Sequence, residues 1–128
     1  MNKYRNKNQK CFKGHIHDSK FEAEYCNRLL AMVQRGEIGY YEIQSSFDLF
    51  ANGQLICRHI VDFLVFKKAY VEGSASSDLE AHEVKGFKTE AWRLKRKLFM
   101  ANYPNIPYKV ISRGDRLWNQ NKSKIRQP

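Results

Sequence analysis

Between residues 19 and 36 apolar side chains recur every three or four positions: Phe21, Tyr25, Leu29 and Val33 follow one another at i+4, with Cys26 and Leu30 beside them. That spacing predicts an amphipathic helix. Ser19-Lys20-Phe21-Glu22 reads as its capping box, hydroxyl and carboxylate each serving an orphan amide, and Gly36 ends it. From Gly39 the period drops to two, and aromatic and β-branched residues accumulate over 39–50 and 55–66. Two strands are expected there, joined tightly through Ala51-Asn52-Gly53-Gln54. Residues 73–77 (Gly-Ser-Ala-Ser-Ser) are expected to turn the chain again as a flexible tip, and 79–86 to form a third strand. Thr89 then caps a second helix running to about Asn102 and stopped near Pro104. Its expected inward residues are Leu94, Leu98 and Ala101; Arg93, Arg96 and Lys97 are expected outward. A short strand at 108–112 closes the order helix, three antiparallel strands, helix, strand. The last connection is a strand-helix-strand crossover, so the fold class is α/β, a mixed central sheet flanked by helices.

A chain of 128 residues supports one core that buries roughly two-thirds of its unfolded surface. A hydrophobic fraction of 42% with 28% charged residues fits a globular domain, and no apolar run reaches the about 18 to 20 residues of a membrane span. The organisation expected is a basic arm over 1–18, one domain over 19–118 and a basic flexible tail over 119–128. Three cysteines, an odd number at no metal-finger spacing, exclude a disulfide framework and point to free thiols in the cytoplasm, that of a host cell if the chain is virus-encoded.

Charge narrows the partners. The formal net charge is +10, and the excess sits at the two ends: residues 1–20 and residues 109–128 each hold six basic side chains and one acid. A neutral body with two cationic arms suits a polyanion, because each cation set beside a phosphate releases counterions. A solubility surplus is the alternative reading of the same charge.

The chemistry lies where acids interrupt apolar strands. In Ile60-Val61-Asp62-Phe63-Leu64, alternation puts Asp62 on the face of Ile60 and Leu64, where an ionised group is costly without compensation. In His82-Glu83-Val84-Lys85-Gly86, Glu83 and Lys85 share one face on the neighbouring strand. Two carboxylates brought within a few ångströms repel, and a divalent cation removes that repulsion while using both as hard oxygen ligands. Mg²⁺ is the expected ion, with Mn²⁺ able to substitute.

Asp62, a 20-residue gap and Glu83-Val84-Lys85, preceded by a helix bearing Glu24, resemble the PD-(D/E)xK nuclease superfamily and its restriction-endonuclease-like core. Within it, Phe21-Glu-Ala-Glu24-Tyr and Glu83-Val-Lys-Gly86-Phe look most like small phage-encoded nucleases related to Holliday junction resolvases; similar signatures occur in the nuclease subunit of heteromeric transposases. Val61 stands where the family's name has proline. The resemblance implies metal-dependent hydrolysis of DNA phosphodiesters, selective for branched structure, by a homodimer acting in recombination or replication. It implies Asp62, Glu83 and the Val84 carbonyl as metal ligands, Glu24 completing the site or binding a second ion, and Lys85 orienting or helping to deprotonate the attacking water. Lys13, Gln44, His82, Lys88, Arg93, Arg96 and Lys97 are the candidate nucleic-acid contacts.

Each residue has a plainer role available. Glu24 could pair with Arg28 at i+4, Glu83 and Lys85 could be a solvated charge pattern, and His59 and His82 could be packed histidines. Cys11, His15 and His17 lack a fourth zinc ligand. Trp92 and Trp118 suit packing and tail docking better than base stacking. For the whole chain the alternatives are a non-catalytic nucleic-acid-binding protein on a degenerate nuclease fold, or a subunit of a transposition complex.

Overall fold

Ser19 opens the first long helix as its hydroxyl accepts the Glu22 N–H at 3.1 Å. The helix, α1 (Lys20–Gln34), ends as the Gly36 N–H bonds the Val33 carbonyl; Gly36 takes φ +76°, a conformation glycine adopts without a Cβ penalty. The structure, a computed structural model, describes residues 9–11, 13–14, 16–17, 19–68, 78–84 and 88–112. The tip at 73–77, Lys85, His15, Trp118 and the tail at 119–128 lie outside the described residues.

Ahead of α1, β1 (Gln9–Lys10) and β2 (Ile16–His17) pair antiparallel as a miniature sheet. After it, β3 (Tyr40–Ala51) and β4 (Gln54–Phe66) form a long hairpin. Asn52 at φ 51° and Gly53 at φ 78° make its two-residue turn, both left-handed as the tight primed turns require. β5 (Leu79–Val84) runs antiparallel to β4, α2 (Glu90–Asn102) follows with Thr89 as its N-cap, and β6 (Tyr108–Ile111) returns parallel to β5. The result is a mixed α/β domain with a four-stranded mixed sheet in the order β3-β4-β5-β6. Among the described residues, no helix is long and apolar enough to cross a membrane.

Two apolar clusters form, one under each helix. Tyr25, Cys26 and Leu29 of α1 pack with Tyr41, Phe63, Val65 and Ile111, and Cys11 joins them, so part of the basic arm is anchored to the core. Trp92 and Phe99 of α2 pack with Leu49, Val61, Ala81 and Tyr108. Odd-numbered residues of the hairpin feed both clusters. Tyr41, Ile43, Phe63 and Val65 serve α1, whereas Phe47, Leu49, Cys57 and Val61 serve α2. The hairpin therefore crosses from one core to the other, between residues 43 and 47 of β3 and between 61 and 63 of β4.

The inward face of α2 differs from the sequence expectation. Leu94 is 68% exposed and Ala101 is exposed, while Trp92 and Phe99 are buried and Leu98 is only partly so. Aromatic partners decide the phase: Phe99 meets the rings of Phe47, Tyr103 and Tyr108 at centroid distances of 5.0, 5.1 and 5.1 Å. Burial of one such ring contributes about 2 kcal/mol, more than a half-covered leucine could. Arg96, expected outward, lies between Trp92 and Phe99 on this inward stripe.

Under α1 lies a buried polar network. His82 Nε2 donates to Glu80 Oε1 at 3.0 Å and His82 Nδ1 accepts from the Tyr25 hydroxyl at 2.7 Å, the arrangement of a neutral imidazole. Lys109 and Lys67 approach Glu80 at 3.1 and 3.3 Å. The His82 hydrogen bond, helped by Lys109, pulls the Glu80 carboxyl down to about 2, against its own burial. Burial pushes the His82 imidazole below its usual range. Both shifts act in one direction, since the unfolded chain takes up protons that the fold refuses. The thermal midpoint is expected to fall as pH drops below about 6.5, when unfolded histidine charges, and further from about 4.5 toward 2. Glu80→Gln should flatten the lower part of that acid limb in melts between pH 7 and 3; an unchanged limb would remove Glu80 as its source.

Candidate functional site

The site sits where the hairpin changes cores. Backbone pairing between β4 and β5 runs from Phe66↔Leu79 to Phe63↔His82 and stops there. Side chains take over at the next position. The Asp62 N–H donates to Glu83 Oε2 at 3.1 Å, and the Val84 N–H donates to Asp62 Oδ2 at 2.9 Å. Each carboxylate thus binds an amide that the ladder leaves behind.

β3 is irregular at the same level. Ile43 pairs with Phe63 and Ser45 with Val61, so Gln44 stands across from Asp62, and Gln44 takes φ 53°. A left-handed glutamine inside a strand stores about 1 kcal/mol or more of backbone strain. Its side-chain amide donates to Glu22 Oε1 at 3.3 Å.

Glu22 comes from the first turn of α1 and is only 5% exposed; Glu83 is 4% exposed. Three carboxylates from three separate elements therefore meet: Glu22 from α1, Asp62 from β4 and Glu83 from β5. Their mutual effect is large. Burial, then the charges of Glu83 and Glu22, and a hydrogen bond with Glu22, hold the Asp62 carboxyl well above the ordinary carboxylate range, opposed by the Val84 amide.

Glu22, and not Glu24, is the α1 carboxylate brought to Asp62. Glu24 lies one turn before Arg28, whose guanidinium pKa is lowered by burial, and the Glu24 charge opposes that lowering. The physical reason is angular: positions 22, 25, 26 and 29 share one helical stripe, whereas 24 and 28 share another.

The proposed nucleic-acid contacts are placed variously. His82 is 7% exposed and engaged with Tyr25 and Glu80, so it is a packed histidine and not a surface contact. His59 is packed too, its Nε2 2.8 Å from the Tyr108 hydroxyl. Lys13 stands over the Tyr41 ring at 5.1 Å. Lys88, Arg93 and Lys97 are exposed on α2 and its approach, and Arg96 is half-buried. Lys85 follows Val84 in sequence but lies outside the described residues.

For a divalent cation the donor set fits in kind: its side-chain donors are all oxygen and anionic, as hard cations require. The side-chain arrangement is a closed one, with carboxylates bonded to amides and to one another. Among the described residues, no group of three His, Cys, Asp or Glu is already arranged to hold an ion.

Residues 1–119 match the model of a family described as a protein of unknown function, DUF1064. No curated protein and no solved structure matches the chain.

Proposed function

For a chain that belongs to the DUF1064 family, we propose the activity of a metal-dependent DNA endonuclease on a restriction-endonuclease-like core. The observation that carries this reading is the meeting of Glu22, Asp62 and Glu83, with Asp62 driven toward its protonated form by its neighbours. Buried acids set side by side cost stability, and natural folds keep such costs at functional sites.

Asp62 and Glu83 are the metal-holding carboxylates in this reading, with Glu22 taking the part that the sequence assigns to Glu24 and the Val84 carbonyl a further oxygen. A bound Mg²⁺ supplies Lewis acidity at the phosphate and lowers the pKa of water. The protein's own residues do the rest. Asp62 and Glu83, tied to backbone amides, fix the donor positions; Gln44 orients Glu22; Lys85, next in sequence to Val84, provides an ammonium for the attacking water and the phosphate charge. The cationic ends draw the polyanion in. Recognition of branched structure, with paired incisions, calls for a homodimer, because the described residues of each chain form one such site.

The test is incubation with branched, nicked and linear DNA in Mg²⁺ or Mn²⁺, and in Ca²⁺ for binding alone. Cleavage is expected with the first two ions and strongest on the branched substrate. A native chain that binds all three DNAs and cuts none overturns the enzyme. The second reading, a nucleic-acid-binding protein on an inactive nuclease fold, would then stand, and the closed arrangement of the carboxylates favours it.

A further inference from the structure

Arg96 occupies a position that packing alone does not favour. On α2 it falls at i+4 from Trp92 and three residues before Phe99, both buried, so its stem runs along the inward stripe. Its guanidinium carbon stands 5.7 Å from the centre of the Tyr108 ring. Its Nε is shut off from water and has no hydrogen-bond partner. Among the described residues no carboxylate pairs with it. A ring face offsets only part of the desolvation of a guanidinium, so this cation is left short of an anion.

The surroundings say which anion. Tyr108 pairs in register with Ala81, two residues along β5 from Glu83, and Ala81 and Tyr108 pack in the α2 cluster with Val61, the neighbour of Asp62. Burial above all raises the Tyr108 phenol pKa; the Glu83 and Asp62 charges add to the rise, and a Trp92 hydrogen bond and the Arg96 charge oppose it. The arginine is therefore on the α2 side of the carboxylate cluster, within electrostatic reach of the same ring. Arg93 and Lys97 lie exposed on the same helix.

We propose that Arg96 is a phosphate-binding residue, gripping a backbone phosphodiester of the nucleic acid beside the carboxylate site with its guanidinium braced on Tyr108. The planar fork can meet two phosphate oxygens at once, which a lysine cannot do, and the ring fixes its plane. This rests on the nuclease reading for its location but is tested by binding, so the two can fail separately.

The experiment compares the native chain with Arg96→Met and Arg96→Lys, using fluorescently labelled branched DNA in Ca²⁺ over a range of salt, with cleavage in Mg²⁺ measured in parallel. Arg96→Met keeps the apolar stem and removes the charge. It is expected to bind about tenfold more weakly and to lower the slope of log affinity against log salt by about one, a change that a merely structural role would not produce. Arg96→Lys keeps the charge and should retain the native slope while losing at least about threefold in affinity. Native affinity and slope in Arg96→Met overturn the proposal even if the native chain cuts DNA. A native chain that binds without cutting overturns the nuclease reading, while the slope still decides Arg96. Should Arg96→Met not fold, native affinity in Arg96→Lys is the overturning result.

Discussion

Asp62→Asn is expected to give a more stable protein that no longer cuts DNA. The Asp62 carboxyl is held above its ordinary pKa by burial and by the Glu83 and Glu22 charges. The fold therefore keeps a proton that the unfolded chain releases, and native stability falls as pH rises from the ordinary carboxylate value toward the raised one. At neutral pH the fold must hold a proton that the unfolded chain has already released, a cost that asparagine lacks. Its amide oxygen can still accept from the Val84 N–H, so the cross-strand tie survives. A gain of about 1–3 kcal/mol is expected in metal-free urea unfolding at pH 7.5, the scale of one poorly compensated buried polar group. Mg²⁺ should narrow the difference, since an ion that binds only the folded native site stabilises it by mass action. Cleavage should fall by more than about a hundredfold, the loss usually seen when only an outer partner of a metal ligand is removed. A variant less stable than the native chain, or still stabilised by Mg²⁺ to the same degree, would show that Asp62 is an ordinary structural acid.

The second large effect separates two glutamates one helical half-turn apart. Glu22→Gln should abolish metal-dependent cleavage to a similar extent, because it removes one of three converging charges while its amide oxygen can still accept from the Gln44 amide. Glu24→Gln should leave cleavage within about twofold and lower stability by about 1–3 kcal/mol, because Arg28, only 7% exposed, loses a charge beside it. Rates for both variants on the same branched substrate decide the matter. Loss of activity in Glu24→Gln with retention in Glu22→Gln would restore the assignment that the sequence resemblance suggests.

The elements were legible because their signals are local. Ser19 and Thr89 cap the helices, and Asn52-Gly53 supplies two left-handed residues for a two-residue turn. Asp62 and Glu83 were legible for a related reason, since a carboxylate in an apolar strand stands out against alternation. The same logic applies to α1, where Glu22 interrupts the stripe of Tyr25, Cys26 and Leu29; the capping box offered an adequate use for that acid and hid the signal. The phase of α2 departs from the sequence expectation because its inward stripe mixes aromatics with Arg96, whereas Leu94 and Ala101 are apolar but face outward. Only the ring cluster on the far side of the helix sets that choice. The crossing of the hairpin between two cores leaves no mark in periodicity, because residue parity is unchanged through it.

Because the amides of Asp62 and Val84 are bonded to acid side chains and not to a facing strand, the protein carries two reporters in its own backbone. Their proton chemical shifts and solvent-exchange rates in NMR follow the ionisation of the acids they touch. Titration with a cation can thus be watched at two named resonances, with no label attached and no substrate present.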